Sequence, residues 1–162
     1  MDRILIVDDE ASVREILNRW LTAAGYEIGE AESAEAALDV MSRSRAGVVM
    51  CDIEMPGQGG LWMAEQLRER YPTTAMVLAT GVDSIPPATS FKSGIVEYLV
   101  KPFERERVLT AVKAGLAWHA AAVERSLTSV EPRASLEAWL DAPPDLDAPL
   151  PDIDVPPEKA GD

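Results

Sequence analysis

The sequence has one cysteine and one histidine in 162 residues, and each scarcity closes off a class of chemistry. A single thiol, Cys51, allows neither an internal disulfide nor a paired-cysteine metal site. His119 alone cannot build a histidine-rich zinc or iron centre. No run approaches the roughly 18 apolar residues of a membrane span. Bases are also few, with 15 Lys and Arg against 28 Asp and Glu, for a formal net charge of -13. That surplus repels nucleic acid and anionic lipid surfaces over long range. The opening MDRILIVDDE carries acid within its first ten residues and has no apolar signal region. The expectation is a cytoplasmic protein with no direct nucleic-acid or membrane contact.

What is present is an ordinary core composition, 47% hydrophobic, sufficient to fold without a disulfide or metal staple. It is concentrated in residues 1–120. The last 42 residues hold seven of the twelve prolines and ten acids against three bases. From Asp141 the chain reads DAPPDLDAPLPDIDVPPEKAGD, which cannot bury enough apolar surface to offset its ordering entropy. The organisation expected is a folded domain over 1–120, a helical extension or linker over 121–140 that includes Trp139, and a disordered acidic, proline-rich tail over 141–162.

Within the first part, short apolar runs alternate with segments of helical spacing. Ile4-Leu5-Ile6-Val7 reads as a strand buried on both faces, as do Gly47–Cys51 and Ala75–Thr80, with Tyr26–Ala31 and Val96–Val100 completing five. Ser12-Val13-Arg14-Glu15 resembles a capping box ahead of a helix that ends near Gly25. Ser33 caps a second helix through Met41, and Leu61, Met63, Ala64 and Leu67 mark a third before Pro72. Pro86-Pro87 forces any fourth helix to be short, beginning near Pro87. From Glu104 a last amphipathic helix runs past His119. The pattern predicts an α/β, flavodoxin-like, doubly wound five-stranded parallel sheet of order 2-1-3-4-5 with helices on both faces.

Ligands on such sheets bind at the carboxyl ends of the strands. Those ends carry Asp8-Asp9, Asp52, Thr80 and Lys101-Pro102. Two carboxylates about 5 Å apart repel by roughly 3 kcal/mol at an effective dielectric near 20. A group of three therefore calls for a cation, and hard carboxylate oxygens suit Mg²⁺. Lys101 supplies an ammonium to the same rim.

The segments ILIVDDE, CDIEMPG, LAT and YLVKPF, in that order over about residues 1–120, resemble the successive motifs of the response-regulator receiver domain of two-component signalling. The resemblance implies that a histidine kinase transfers a phosphoryl group to Asp52, giving an aspartyl phosphate. It further implies that Asp9, Asp52 and the backbone carbonyl of Glu54 ligate Mg²⁺ directly, with Asp8 acting largely through water. Lys101 would hold a phosphate oxygen, Thr80 would swing its hydroxyl toward the phosphate, and Tyr98 would turn inward behind it. A cis peptide bond at Lys101-Pro102 is implied as well. Such a protein is a phosphoacceptor rather than a turnover enzyme, limited to its own phosphorylation and autodephosphorylation, and its output passes through a downstream protein target or effector domain. Two alternatives stand beside this reading. One is an Mg²⁺-dependent phosphohydrolase that forms an aspartyl phosphate, disfavoured because Glu54 stands where a shorter acid is usual. The other is a receiver fragment of a larger regulator whose effector domain is missing.

Overall fold

The computed structural model describes residues 1–81 and 94–128. The strands are β1 (Arg3–Val7), β2 (Glu27–Ala31), β3 (Val48–Asp52), β4 (Ala75–Thr80) and β5 (Ile95–Val100). The helices are α1 (Ala11–Ala23), α2 (Ala34–Arg43), α3 (Gly60–Arg70) and α4 (Arg105–Thr128). All four strand pairings are parallel, and the sheet order is β2-β1-β3-β4-β5, as the sequence predicts. The short helix expected from Pro87, the segment around Trp139 and the acidic tail lie outside the described residues.

Strand alternation sorts the core into two layers. Leu5, Val7, Val49, Cys51, Met76 and Leu78 face one side with Ala37 and Met41 of α2 and Met63 and Leu67 of α3. Ile4, Ile6, Val48, Met50, Ala75 and Val77 face the other with Leu17 and Leu21 of α1 and Val108 and Val112 of α4. Such strands are apolar throughout because both faces are covered.

Three local readings shift. Helix α1 begins at Ala11 with Glu10 at its N-cap and no side-chain cap, so Ser12 lies inside the first turn rather than capping it. The physical reason is the turn before it, where Asp8 Oδ1 already accepts the Glu10 N–H at 2.9 Å. Tyr26 and Gly47 precede their strands by one residue instead of opening them. Tyr26 closes the turn after α1, donating its N–H to the Leu21 carbonyl, with Gly25 at φ 93. Ser33 does cap α2, accepting from the Ala36 N–H at 3.1 Å. Helix α4 continues unbroken past Ala120 to Thr128, a length of 24 residues or about 36 Å.

Candidate functional site

Main-chain hydrogen bonds carry the sheet one residue beyond the strand ends and so fix the rim. The Asp8 N–H donates to the Ala31 carbonyl, the Ile53 N–H to Ala79, and the Lys101 N–H to Thr80. The pleat then sets direction. Asp8 shares parity with Ile4 and Ile6, Asp52 with Val48 and Met50, and Lys101 with Leu99. All three belong to the α1–α4 face and meet at its carboxyl edge.

Lys101 Nζ donates to Asp8 Oδ2 and to Asp52 Oδ2, both at 2.9 Å. Each aspartate gives its other oxygen to a backbone N–H two residues on: Asp8 Oδ1 to Glu10 at 2.9 Å and Asp52 Oδ1 to Glu54 at 3.1 Å. Asp8 is 2% exposed and Asp52 6%, so these bonds are what makes their burial tolerable. Burial opposes the Lys101 charge, but the hydrogen bonds and charges of Asp52 and Asp8 outweigh it and hold its pKa above the ordinary lysine value. Asp9 is exposed beside them. One oxygen from each of Asp8, Asp9 and Asp52 lies within 4.8 Å of the others. Lys101 thus pairs with two of the three clustered carboxylates, and these hard oxygen donors are compatible with Mg²⁺.

Thr80 and Tyr98 sit differently. Both have the parity of Leu78, the α2–α3 face, opposite that of Asp52. Thr80 is fully buried at the end of β4, and its hydroxyl donates to the Gly81 carbonyl at 3.0 Å rather than to the carboxylates. Tyr98 is half-buried two residues before the end of β5, its hydroxyl closed off from solvent. Burial pushes its phenol pKa up. The Lys101–Pro102 bond is cis.

Cys51 is a fully buried core thiol, driven far toward its protonated form by burial and then by the charges of Asp52 and Asp8. His119 belongs to the opposite end of the sheet. Its Nδ1 donates to the Thr73 carbonyl at 2.5 Å, and its ring covers Gly47, where a Cβ would lie 2.9 Å from Cδ2. That is a packing role.

Sequence reasoning missed two supports of the rim. Gly59 and Gly60 let α3 start directly over β3; a Cβ there would lie 2.5 Å from the Ile53 carbonyl oxygen and 2.6 Å from that of Asp52. The adjacent glycines after Met55-Pro56-Gly57 were the available signal. Arg14 is the other, its Nη1 donating to the Asp8 carbonyl oxygen at 2.6 Å, with no signal beyond its place in the helix that follows Asp8-Asp9.

The doubly wound sheet of order β2-β1-β3-β4-β5, with an acidic rim at its carboxyl edge, is the fold of receiver domains. The chain belongs to the response regulator receiver domain family, whose match covers residues 4–113. It is 36% identical over 111 residues to the response regulator protein FleR of Pseudomonas aeruginosa, spanning 68% of this chain and 24% of that protein. It is 33% identical over 112 residues to the transcriptional regulatory protein ResD of Bacillus subtilis, spanning 69% and 47%. With FixJ of Bradyrhizobium diazoefficiens, a transcriptional regulatory protein, identity is 32% over 136 residues, spanning 83% and 61%. The chain therefore spans less than two thirds of each of these relatives. Among solved structures, the receiver domain of NtrX from Brucella abortus is 26% identical with a TM-score of 0.66, covering 70% of this chain and 98% of that one. A structure described as adenylate cyclase from Rhodopirellula baltica is 27% identical with a TM-score of 0.71, covering 80% and 98%.

Proposed function

We propose that this chain is the phosphoacceptor of a two-component relay, taking a phosphoryl group from a histidine kinase onto Asp52. The observation that carries the reading is the wiring of Asp52, a nearly buried carboxylate bonded to Lys101 with two further carboxylates beside it. The donor phosphorus is attacked by an Asp52 oxygen while its bond to the donor nitrogen breaks, leaving an aspartyl phosphate and a neutral imidazole once that nitrogen is protonated. Asp9, Asp52 and the Glu54 carbonyl would hold Mg²⁺, with Asp8 acting largely through water. When bound, Mg²⁺ supplies charge neutralisation for the phosphoryl oxygens. Lys101 already stands at Asp52 and can transfer one of its hydrogen bonds to an arriving phosphate oxygen.

Phosphorylation adds strong acceptors at the rim, and Thr80 is the hydroxyl donor at the end of the neighbouring strand. In this reading its rotation away from Gly81, followed by Tyr98 filling the space behind it, passes the signal toward the β4–β5 edge. An apolar groove of about 360 Å³, lined by Val13, Ile16, Trp20 and Phe103, opens beside Lys101 and offers the donor protein a surface. Among the described residues no helix is long and apolar enough to cross a membrane. The reading places the protein in the cytoplasm, with a folded receiver over 1–120, a helical extension or linker over 121–140 and an acidic tail from 141. Output passes to a downstream protein or to an effector domain rather than through nucleic-acid contacts of this chain.

The test is incubation with Mg²⁺ and acetyl phosphate or phosphoramidate, followed by intact mass. One phosphoryl group is expected on the parent chain and none on Asp52→Asn. Undiminished labelling of Asp52→Asn would overturn the assignment.

A further inference from the structure

The turn between β1 and α1 carries two of the three clustered carboxylates, and a side chain outside the cluster grips it. Arg14 is the fourth residue of α1. Its guanidinium reaches back to the end of β1, where Nη1 donates to the Asp8 carbonyl oxygen at 2.6 Å. Its Nε lies 3.8 Å from Glu30 Oε1, and the side chain is 18% exposed. The far side of Glu30 is braced by the same helix: Asn18 Nδ2 donates to Glu30 Oε2 at 2.8 Å, and Thr22 Oγ1 to Asn18 Oδ1 at 2.9 Å. Residues 14, 18 and 22 form one row along α1.

The carbonyl that Arg14 holds belongs to the planar peptide joining Asp8 to Asp9. A bond that orients that carbonyl also orients the Asp9 amide, and with it the direction in which the Asp9 side chain leaves the backbone. Asp8 is fixed independently, through its own N–H and both carboxylate oxygens. Asp9 is exposed, so the backbone is its main source of placement. We propose that Arg14 is a positioning residue for the carboxylate cluster, holding the Asp8–Asp9 peptide so that Asp9 stays within reach of the cation shared with Asp8 and Asp52. This rests on the Mg²⁺-dependent reading above.

Charge and position act in opposite directions here, which makes the idea sharp. By Coulomb's law alone, removing a guanidinium beside three carboxylates should tighten binding of a divalent cation. Losing an outer partner of a metal ligand should weaken it, typically 10- to 100-fold. The experiment titrates Mg²⁺ into the full chain by calorimetry, comparing the parent, Arg14→Ala and Arg14→Lys, with thermal melting of each metal-free protein. Arg14→Ala is expected to weaken Mg²⁺ binding about tenfold, with Arg14→Lys in between. The phosphorylation rate of Arg14→Ala should fall at limiting Mg²⁺ and return to within about twofold of the parent at saturating Mg²⁺. If Arg14→Ala does not melt cooperatively, Arg14→Lys decides alone, through a loss of affinity with a preserved melt. A parent that binds Mg²⁺ while the folded variants bind as tightly or more tightly overturns this inference alone. A parent that does not bind Mg²⁺ overturns the functional reading, and this inference with it.

Discussion

Asp8 and Asp52 are wired alike, each with one oxygen on Lys101 and the other on a backbone N–H two residues on. Asp9 shares the cluster but has no such burial. Removing Asp9 and removing Lys101 should therefore have opposite signatures. Asp9→Ala is expected to lose most Mg²⁺ affinity, tenfold or more, while the metal-free protein melts no lower than the parent because like-charge crowding is relieved. Lys101→Ala should keep Mg²⁺ binding but cost about 2 kcal/mol of metal-free stability, since two nearly buried carboxylates lose their shared partner. Mg²⁺ titration and denaturant melts of both variants check the contrast. Tyr98 gives a pH signature. Burial raises its phenol pKa above the ordinary value of 10.0, so above that pH the folded state keeps a proton that the unfolded chain gives up. Its contribution is whole below about pH 10 and is lost as pH rises through the folded-state value. Tyr98→Phe should flatten the alkaline limb of stability, measured by urea melts between about pH 9 and pH 11.

At the scale of elements, the rim depends on how closely helices approach the sheet. Helix α3 begins over the carboxyl end of β3 because Gly59 and Gly60 carry no Cβ to strike the Ile53 and Asp52 carbonyls. Backbone oxygens cannot swing aside as a side-chain tip can. Gly60→Ala should cost about 2–3 kcal/mol through forced displacement of α3, and should slow Asp52 phosphorylation through the shift of β3. Chemical denaturation and the phosphodonor rate measure the two effects separately. A variant as stable as the parent would mean that α3 has room to retreat. Helix α4 uses the same device on the other face, where Gly115 lies against Val48.

For the whole molecule, all five strands and the rim residues Asp8, Asp9, Asp52, Thr80 and Lys101 fall within the first 101 residues. The remaining 34 residues are rich in proline and acid, with nine acids against Arg133 and Lys159. Proline cannot donate to a sheet, and such a composition does not fill a core. A chain ending at Thr128 should melt within about 2 kcal/mol of the full chain and accept phosphate from acetyl phosphate at the same rate. A larger loss would require a buried contact made by Leu136, Trp139 or Leu140, the densest apolar group after Thr128.

The five strands were legible in order because a strand buried on both faces is a short apolar run, β-branched in Ile4–Val7 and simply continuous in Ala75–Ala79. The candidate rim was legible for a related reason: polar residues that abruptly end such runs, Asp8, Asp9, Asp52 and Lys101, come together once the strands are known to be parallel. Boundaries were less legible, and Ser12 shows why. A capping motif describes only its own neighbourhood, while the Asp8 carboxylate had already taken the Glu10 N–H and started the helix earlier. Only the tertiary structure decided that Lys101 bridges Asp8 and Asp52, residues 93 and 49 positions away. It alone set Thr80 and Tyr98 on the opposite face, brought Arg14 to the Asp8 carbonyl and turned His119 onto Gly47. Local sequence dictates which residues end a strand, since periodicity and composition act over a few neighbours. Which oxygen a side chain meets depends on register, pleat parity and helix approach, and those exist only when the whole sheet has formed.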